Sequence, residues 1–143
     1  MADPRKRQVF DGLFARYATY AIDNSTITYS ATVAGGSSQV GLAVTLSADG
    51  TVQLIGDGEA LEGKLIEVYA DNFAKVQVGG YATLPGGSGA ALTRGKTVVG
   101  DLGASSAEGY IREVATATAA ELGVARGRLV EVGTTTAVVV DLG

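Results

Sequence analysis

Twenty-one glycines against two prolines, scattered over 143 residues, restrict the fold of this chain more than any other feature. Glycine stands at about twice its usual ~7% share. In a helix interior each glycine costs about 1 kcal/mol relative to alanine, so a chain interrupted this often has little room for long helices. The stretches between the glycines are short and apolar or alternating. Glycine adopts positive φ without steric penalty, and these positions read as tight turns between short strands. The expectation is an all-β protein: a compact β-barrel or β-sandwich with short hairpins, an N-terminal arm or short helix, and at most one short internal helix.

The individual strands follow from turn chemistry and period. Asp49-Gly50 is a strong hairpin signal, joining an apolar run at Leu42–Leu46 to a strand at Thr51–Ile55. A second hairpin runs from Gly63–Tyr69 through Ala70-Asp71-Asn72 into Phe73–Val78, where Val76 and Val78 alternate with Lys75 and Gln77. Ile27, Tyr29, Ala31 and Val33 alternate with Thr26, Thr28, Ser30 and Thr32, which predicts a half-buried strand ended by Gly35-Gly36-Ser37-Ser38. Pro85–Gly89 reads as a loop. Further strands are expected at Thr97–Gly100, Tyr110–Thr116, Arg128–Val132 and Thr136–Leu142. Thr118 and Glu121 have capping-box spacing, and Gly123 ends that segment after one or two turns.

The start of the chain reads differently. Asp3 and Pro4 suit the first positions of a helix, and Val9, Phe10, Leu13, Phe14 and Tyr17 recur at helical spacing. Arg5, Lys6 and Arg7 at the positive dipole end and Gly12 in the interior weaken it. We therefore expect an arm or short amphipathic helix over 1–24 and a β-rich domain over 25–143. So short a helix needs a surface to lie on, either the open end of its own barrel or another chain. Phe10, Leu13, Phe14 and Tyr17 are the candidate partner contacts.

Chemistry is scarce. The chain has no cysteine, so disulfides, thiolate nucleophiles and cysteine-bound metals are excluded. It has no histidine, which removes the commonest general base and metal ligand together. Gly95-Lys96-Thr97 resembles the end of a phosphate loop, but that loop needs glycine at position 90, which is Ala90, and a helix where Val98-Val99-Gly100 reads as a strand. Asp57, Glu59 and Glu62 lie in a glycine-rich turn without the calcium-loop pattern and read as a solvated surface. Asn24-Ser25-Thr26 has the form of a glycosylation sequon, without a secretory segment to bring it into use. The expectation is a non-enzyme with no cofactor and no metal.

The net charge is −4, with Arg5, Lys6, Arg7 and Arg16 against Asp3 and Asp11 making the first sixteen residues +2 and leaving −6 on the rest. An acidic body argues against nucleic acid as a partner. No stretch approaches the ~20 apolar residues of a membrane span, and no apolar segment follows the basic start as in a signal peptide. Synthesis in a cytoplasm is expected.

Residues 42–142 carry phrases such as LAVTLSADGTVQLIGDG, VQVGGY, LTRGKTVVGDLG, ELGVARGR and TTTAVVVDL. In these the chain resembles the small head proteins that decorate the capsids of tailed bacteriophages. GLFARYATY and STITYSATVAGGSSQVG extend the likeness loosely toward the N-terminus. The resemblance implies a capsid decoration, or cement, protein on the virion exterior. Its partners would be the major capsid protein and further copies of itself, a trimer being favoured, with no membrane partner. It brings no catalytic residues with it. The runner-up readings are a β-rich tail or fibre component and a carbohydrate-binding module, the latter disfavoured by the absence of tryptophan and an aromatic content of 6%.

Overall fold

The computed structural model describes residues 12–115, 119–134 and 137–143. Five strands, β1 (Arg16–Ile22), β2 (Ala43–Ala48), β3 (Thr51–Leu54), β4 (Gly63–Val68) and β5 (Phe73–Gly79), close a barrel in the order β1-β3-β2-β4-β5. The β2–β3 and β4–β5 hairpins form where the turn residues place them, with Gly50 and Asn72 both at positive φ. Closure depends on β1. It runs antiparallel to β5, from Tyr17 opposite Gln77 to Ala21 opposite Phe73, and parallel to β3, with Ala21 beside Thr51 and Ile22 beside Val52. No strand of the ring is left with an open edge.

A second unit packs beside the barrel. β6 (Tyr81–Leu84), β9 (Arg128–Thr134) and β10 (Ala137–Asp141) form a sheet in the order β6-β10-β9, and β7 (Val98–Asp101) pairs antiparallel with β8 (Tyr110–Glu113). An α-helix, α1 (Ala119–Val124), precedes β9. Each unit has its own core. Ile22, Ile27, Val44, Val52, Leu65 and Val76 fill the barrel. Ile55, Leu84, Val98, Ile111, Leu129 and Val140 fill the other. A fully buried aliphatic side chain contributes about 1.5–3 kcal/mol, so both clusters are substantial.

Two polar side chains hold the units in register. Buried Gln77 on β5 donates its amide to the carbonyls of Gly79 at 3.2 Å and Tyr81 at 2.9 Å, fixing the corner where β5 turns into β6. Arg126 sits in the second unit, its backbone bridging to Val98, and sends its guanidinium to the carbonyls of Leu61 and Glu62, just before β4, and of Val78 on β5.

The structure corrects two expectations. Residues 12–17 are not helical. Gly12–Ala15 is a turn, Arg16–Ile22 is β1, and the β-body begins there rather than at residue 25. Pairing on both sides of β1 outweighs the local helical spacing, and Ala18, Tyr20 and Ile22 turn inward at the strand period of two. The helix start at Asp3 and Pro4, with Val9 and Phe10, lies outside the described residues.

Residues 26–33 do not form a strand either. The carboxylate of Asp23 accepts the backbone N–H groups of Ser25, Thr26 and Ile27 and the hydroxyls of Ser25 and Thr26. Those donors are then unavailable to a ladder, and the turn drops Ile27 into the barrel core. Burial pushes the Asp23 carboxyl up, but the bonds from Ile27, Thr26 and Ser25 outweigh it and leave its pKa below the ordinary value.

Candidate functional site

Three of the four candidate contacts from the sequence, Leu13, Phe14 and Tyr17, lie at one rim of the barrel. Gly12 to Ala15 is a four-residue turn closed by the Ala15 N–H donating to the Gly12 carbonyl at 3.2 Å. It is clamped to the second unit, with Gly12 N–H donating to the Tyr81 carbonyl at 2.7 Å and Tyr81 N–H to the Leu13 carbonyl at 2.9 Å. Gly80, at φ 81°, lets this contact form, because a Cβ there would collide with the carbonyls of Leu13 and Phe14.

Phe14 is the third residue of the turn and has φ 55°. Turns with positive φ at that position take glycine or asparagine there. For a bulky L-residue the left-handed conformation costs about 1–2 kcal/mol. Yet Phe14 is 78% exposed and recovers nothing by burial, with Leu13 at 43% and Tyr17 at 49% beside it. On β1, Tyr17 is oriented by Lys75, whose ammonium lies 4.3 Å from the ring centroid. At an exposed site such a contact contributes about 0.5–1 kcal/mol. Arg16 donates to the Gly143 carbonyl at 2.7 Å. The rim is thus apolar, basic at its edge and rigidly held. Phe10 lies outside the described residues. Neither the Lys75 contact nor the Gly80 clamp has a sequence signal, since each joins segments more than fifty residues apart.

The acidic turn disperses instead of converging. Asp57 accepts from Arg112 at 3.1 Å, while Glu62 accepts the Tyr20 hydroxyl at 2.7 Å. Among the described residues no three His, Cys, Asp or Glu side chains are grouped to hold a metal ion. Gly95-Lys96-Thr97 is a turn feeding β7, with no helix behind it. Arg112 on β8 also donates to Glu121 at 2.6 Å. That carboxylate is held below its usual range by the Arg112 bond and then by the Ala115 N–H. α1 buries none of its residues, so this ion pair is its tether. Thr118 of the expected capping box lies outside the described residues.

Tyr20 carries a pH dependence. The bond to Glu62, reinforced by burial and by the carboxylate's charge, pushes the phenol from 10.0 up to about 12. A group whose folded pKa is raised contributes stability that is whole below its unfolded pKa and lost as pH climbs through the folded one. Stability measured by urea unfolding is therefore expected to fall between pH 10 and about 12, and Tyr20→Phe is expected to show a shallower fall over that window. Identical pH slopes in the two proteins would refute the assignment.

No family model, no curated protein and no solved structure matches this chain. Among the described residues no helix is long and apolar enough to cross a membrane. The fold is a closed five-stranded β-barrel with a second β unit beside it, and Leu13, Phe14 and Tyr17 are exposed apolar residues at one rim of the barrel.

Proposed function

We propose that this chain is a decoration protein of a tailed-phage head, binding the major capsid protein on the outside of the shell and associating with further copies of itself, a trimer being favoured. The reading assigns it no catalytic role. It rests on the likeness of residues 42–142 to that family. The observation that carries it is Phe14, an aromatic side chain held at unfavourable φ and left in solvent. Strain that persists without a folding benefit points to use of the residue elsewhere. In this reading Leu13, Phe14 and Tyr17 seat in an apolar pocket of the shell. Joining several protomers makes later contacts intramolecular and raises avidity by ~10²–10⁴. A ligand that binds only the assembled lattice stabilises it over its separated parts.

The test is occupancy on shells assembled from the major capsid protein. Phe14→Asn places a residue that tolerates positive φ in the same turn, so stability is expected to hold or rise by up to about 1 kcal/mol. Occupancy is expected to drop about tenfold or more, the loss of one anchoring aromatic. Full occupancy by Phe14→Asn together with Leu13→Ser would sink the proposal.

A further inference from the structure

The chain leaves β8 at Val114 and comes back toward β9 at Arg126, and the two ends are pinned side by side. Val114 N–H donates to the Thr97 carbonyl at 3.0 Å. Arg126 N–H donates to the Val98 carbonyl at 3.1 Å, and its own carbonyl accepts from Val98 at 3.2 Å. Between the pins stands α1, which buries none of its residues and leaves Leu122 55% exposed. Glu121 ties it to the body, its Oε1 accepting from Arg112 at 2.6 Å and from the Ala115 N–H at 3.3 Å. Arg112 is shared, with its Nε 3.1 Å from Asp57 and 4.0 Å from Asp101. Leu122 also forms one wall of a hollow of about 310 Å³, together with Lys96, Thr97, Glu113 and Val114. Glu113 is out of place in that lining. Its Oε2 is buried and has no hydrogen-bond partner. Buried polar groups are nearly always bonded, and an orphaned acceptor is a standing cost to the state that buries it.

We propose that α1 is a flap balanced between two positions: closed, with Glu121 latched to Arg112, and open, with the hollow and the Glu113 carboxylate given over to water. The closed position rests on a charge-assisted bond with no buried side chain of α1 to support it. The open position has a gain of its own, because the Glu113 oxygen orphaned in the closed one finds donors in water. Release does not strand the guanidinium, since Arg112 keeps Asp57. A latch whose breaking left a buried charge alone would be far harder to open. Opening presents Val114, 8% exposed in the closed position, as an apolar floor. This device is independent of the shell-binding proposal, which concerns Leu13, Phe14 and Tyr17.

The chain has no cysteine, so Val114→Cys places a single thiol on the floor of the hollow. Its rate of alkylation by iodoacetamide at neutral pH reads the open fraction. In that background Glu121→Gln is expected to raise the rate about tenfold, the loss of a charge-assisted bond. Glu113→Met is expected to lower it about fivefold, since the closed position then buries no orphan. Amide-exchange protection of β3 and β10 is expected to stay the same in both, which separates movement of the flap from global unfolding. Heteronuclear NOE values for the amides of α1 give the answer without the cysteine and decide the matter if Val114→Cys fails to fold. They are expected to fall in Glu121→Gln and to hold or rise in Glu113→Met. An unchanged rate and unchanged NOE values in Glu121→Gln, faster alkylation in Glu113→Met, or a gain in rate matched by lost protection in β3 and β10 would each overturn the assignment.

Discussion

Gly63→Ala is expected to abolish the fold, with a loss greater than about 4 kcal/mol, in the range reached only by changes that break packing outright. Gly63 opens β4 and pairs with Val44 on β2, while the next residue, Lys64, pairs with Gln77 on β5. A Cβ at Gly63 would fall on the Gln77 carbonyl oxygen and 3.0 Å from a Val76 methyl. The carbonyl is backbone in a closed ring, so it cannot swing aside as a side-chain tip would. Relief requires β4 and β5 to part, and that opens the barrel. A domain stable by about 5–15 kcal/mol loses most of its margin this way. Urea unfolding followed by circular dichroism, or failure to recover soluble protein, measures the effect. The comparison is Gly123→Ala in α1, where nothing lies within 4 Å, and where alanine is expected to add up to about 1 kcal/mol. Gly63→Ala within about 1 kcal/mol of the parent would refute the closed-barrel geometry.

The two glycines look alike in the sequence, and this marks what was legible there. Local signals were read correctly where a turn and its two strands are neighbours. Asp49-Gly50 and Ala70-Asp71-Asn72 each placed a hairpin, and β7 to β10 lie where short apolar runs placed them. The choice between barrel and sandwich was not legible, because it rests on the parallel contact of β1 with β3, a pairing of residues thirty apart. β6 went unread because Gly79-Gly80 hides its start and its partner, β10, lies more than fifty residues on. The strand expected at 26–33 failed for an opposite reason: its alternation was real, but one carboxylate, Asp23, had taken the backbone donors. At the site, Leu13, Phe14 and Tyr17 stand out in the sequence as candidate partner contacts or as a cover for their own barrel; they are exposed, and the helix expected to carry them is a turn and a strand. Their side chains were visible to pattern, and the positive φ that gives Phe14 its meaning was not.

Arg126→Met is expected to cost about 3 kcal/mol and to divide the unfolding of the molecule. Hydrogen bonds to a charged group contribute about 1.5–3 kcal/mol each, and this guanidinium reaches the Glu62 carbonyl at 2.6 Å, the Leu61 carbonyl at 3.4 Å and the Val78 carbonyl. Three full contributions would exceed the expected figure. The carbonyls are only partly buried, so water recovers some of the loss when the arginine goes. The location gives the residue its weight. Its backbone belongs to the second unit through Val98, with N–H donating at 3.1 Å and carbonyl accepting at 3.2 Å, while the Val78 carbonyl belongs to β5 of the barrel and the Leu61 and Glu62 carbonyls to the segment that leads into β4. Removing it leaves each core intact and weakens the link between them. Lysine does not restore the link, since a single ammonium cannot span two carbonyls on different segments as the planar guanidinium does. Amide hydrogen exchange distinguishes this from general destabilisation. In the parent protein, amides of β2 to β5 and of β9 and β10 are expected to open together. In Arg126→Met and Arg126→Lys the two sets are expected to separate in protection. Equal protection across both sets in Arg126→Met would mean that Gln77 and the Gly79-Gly80 corner suffice to couple the cores.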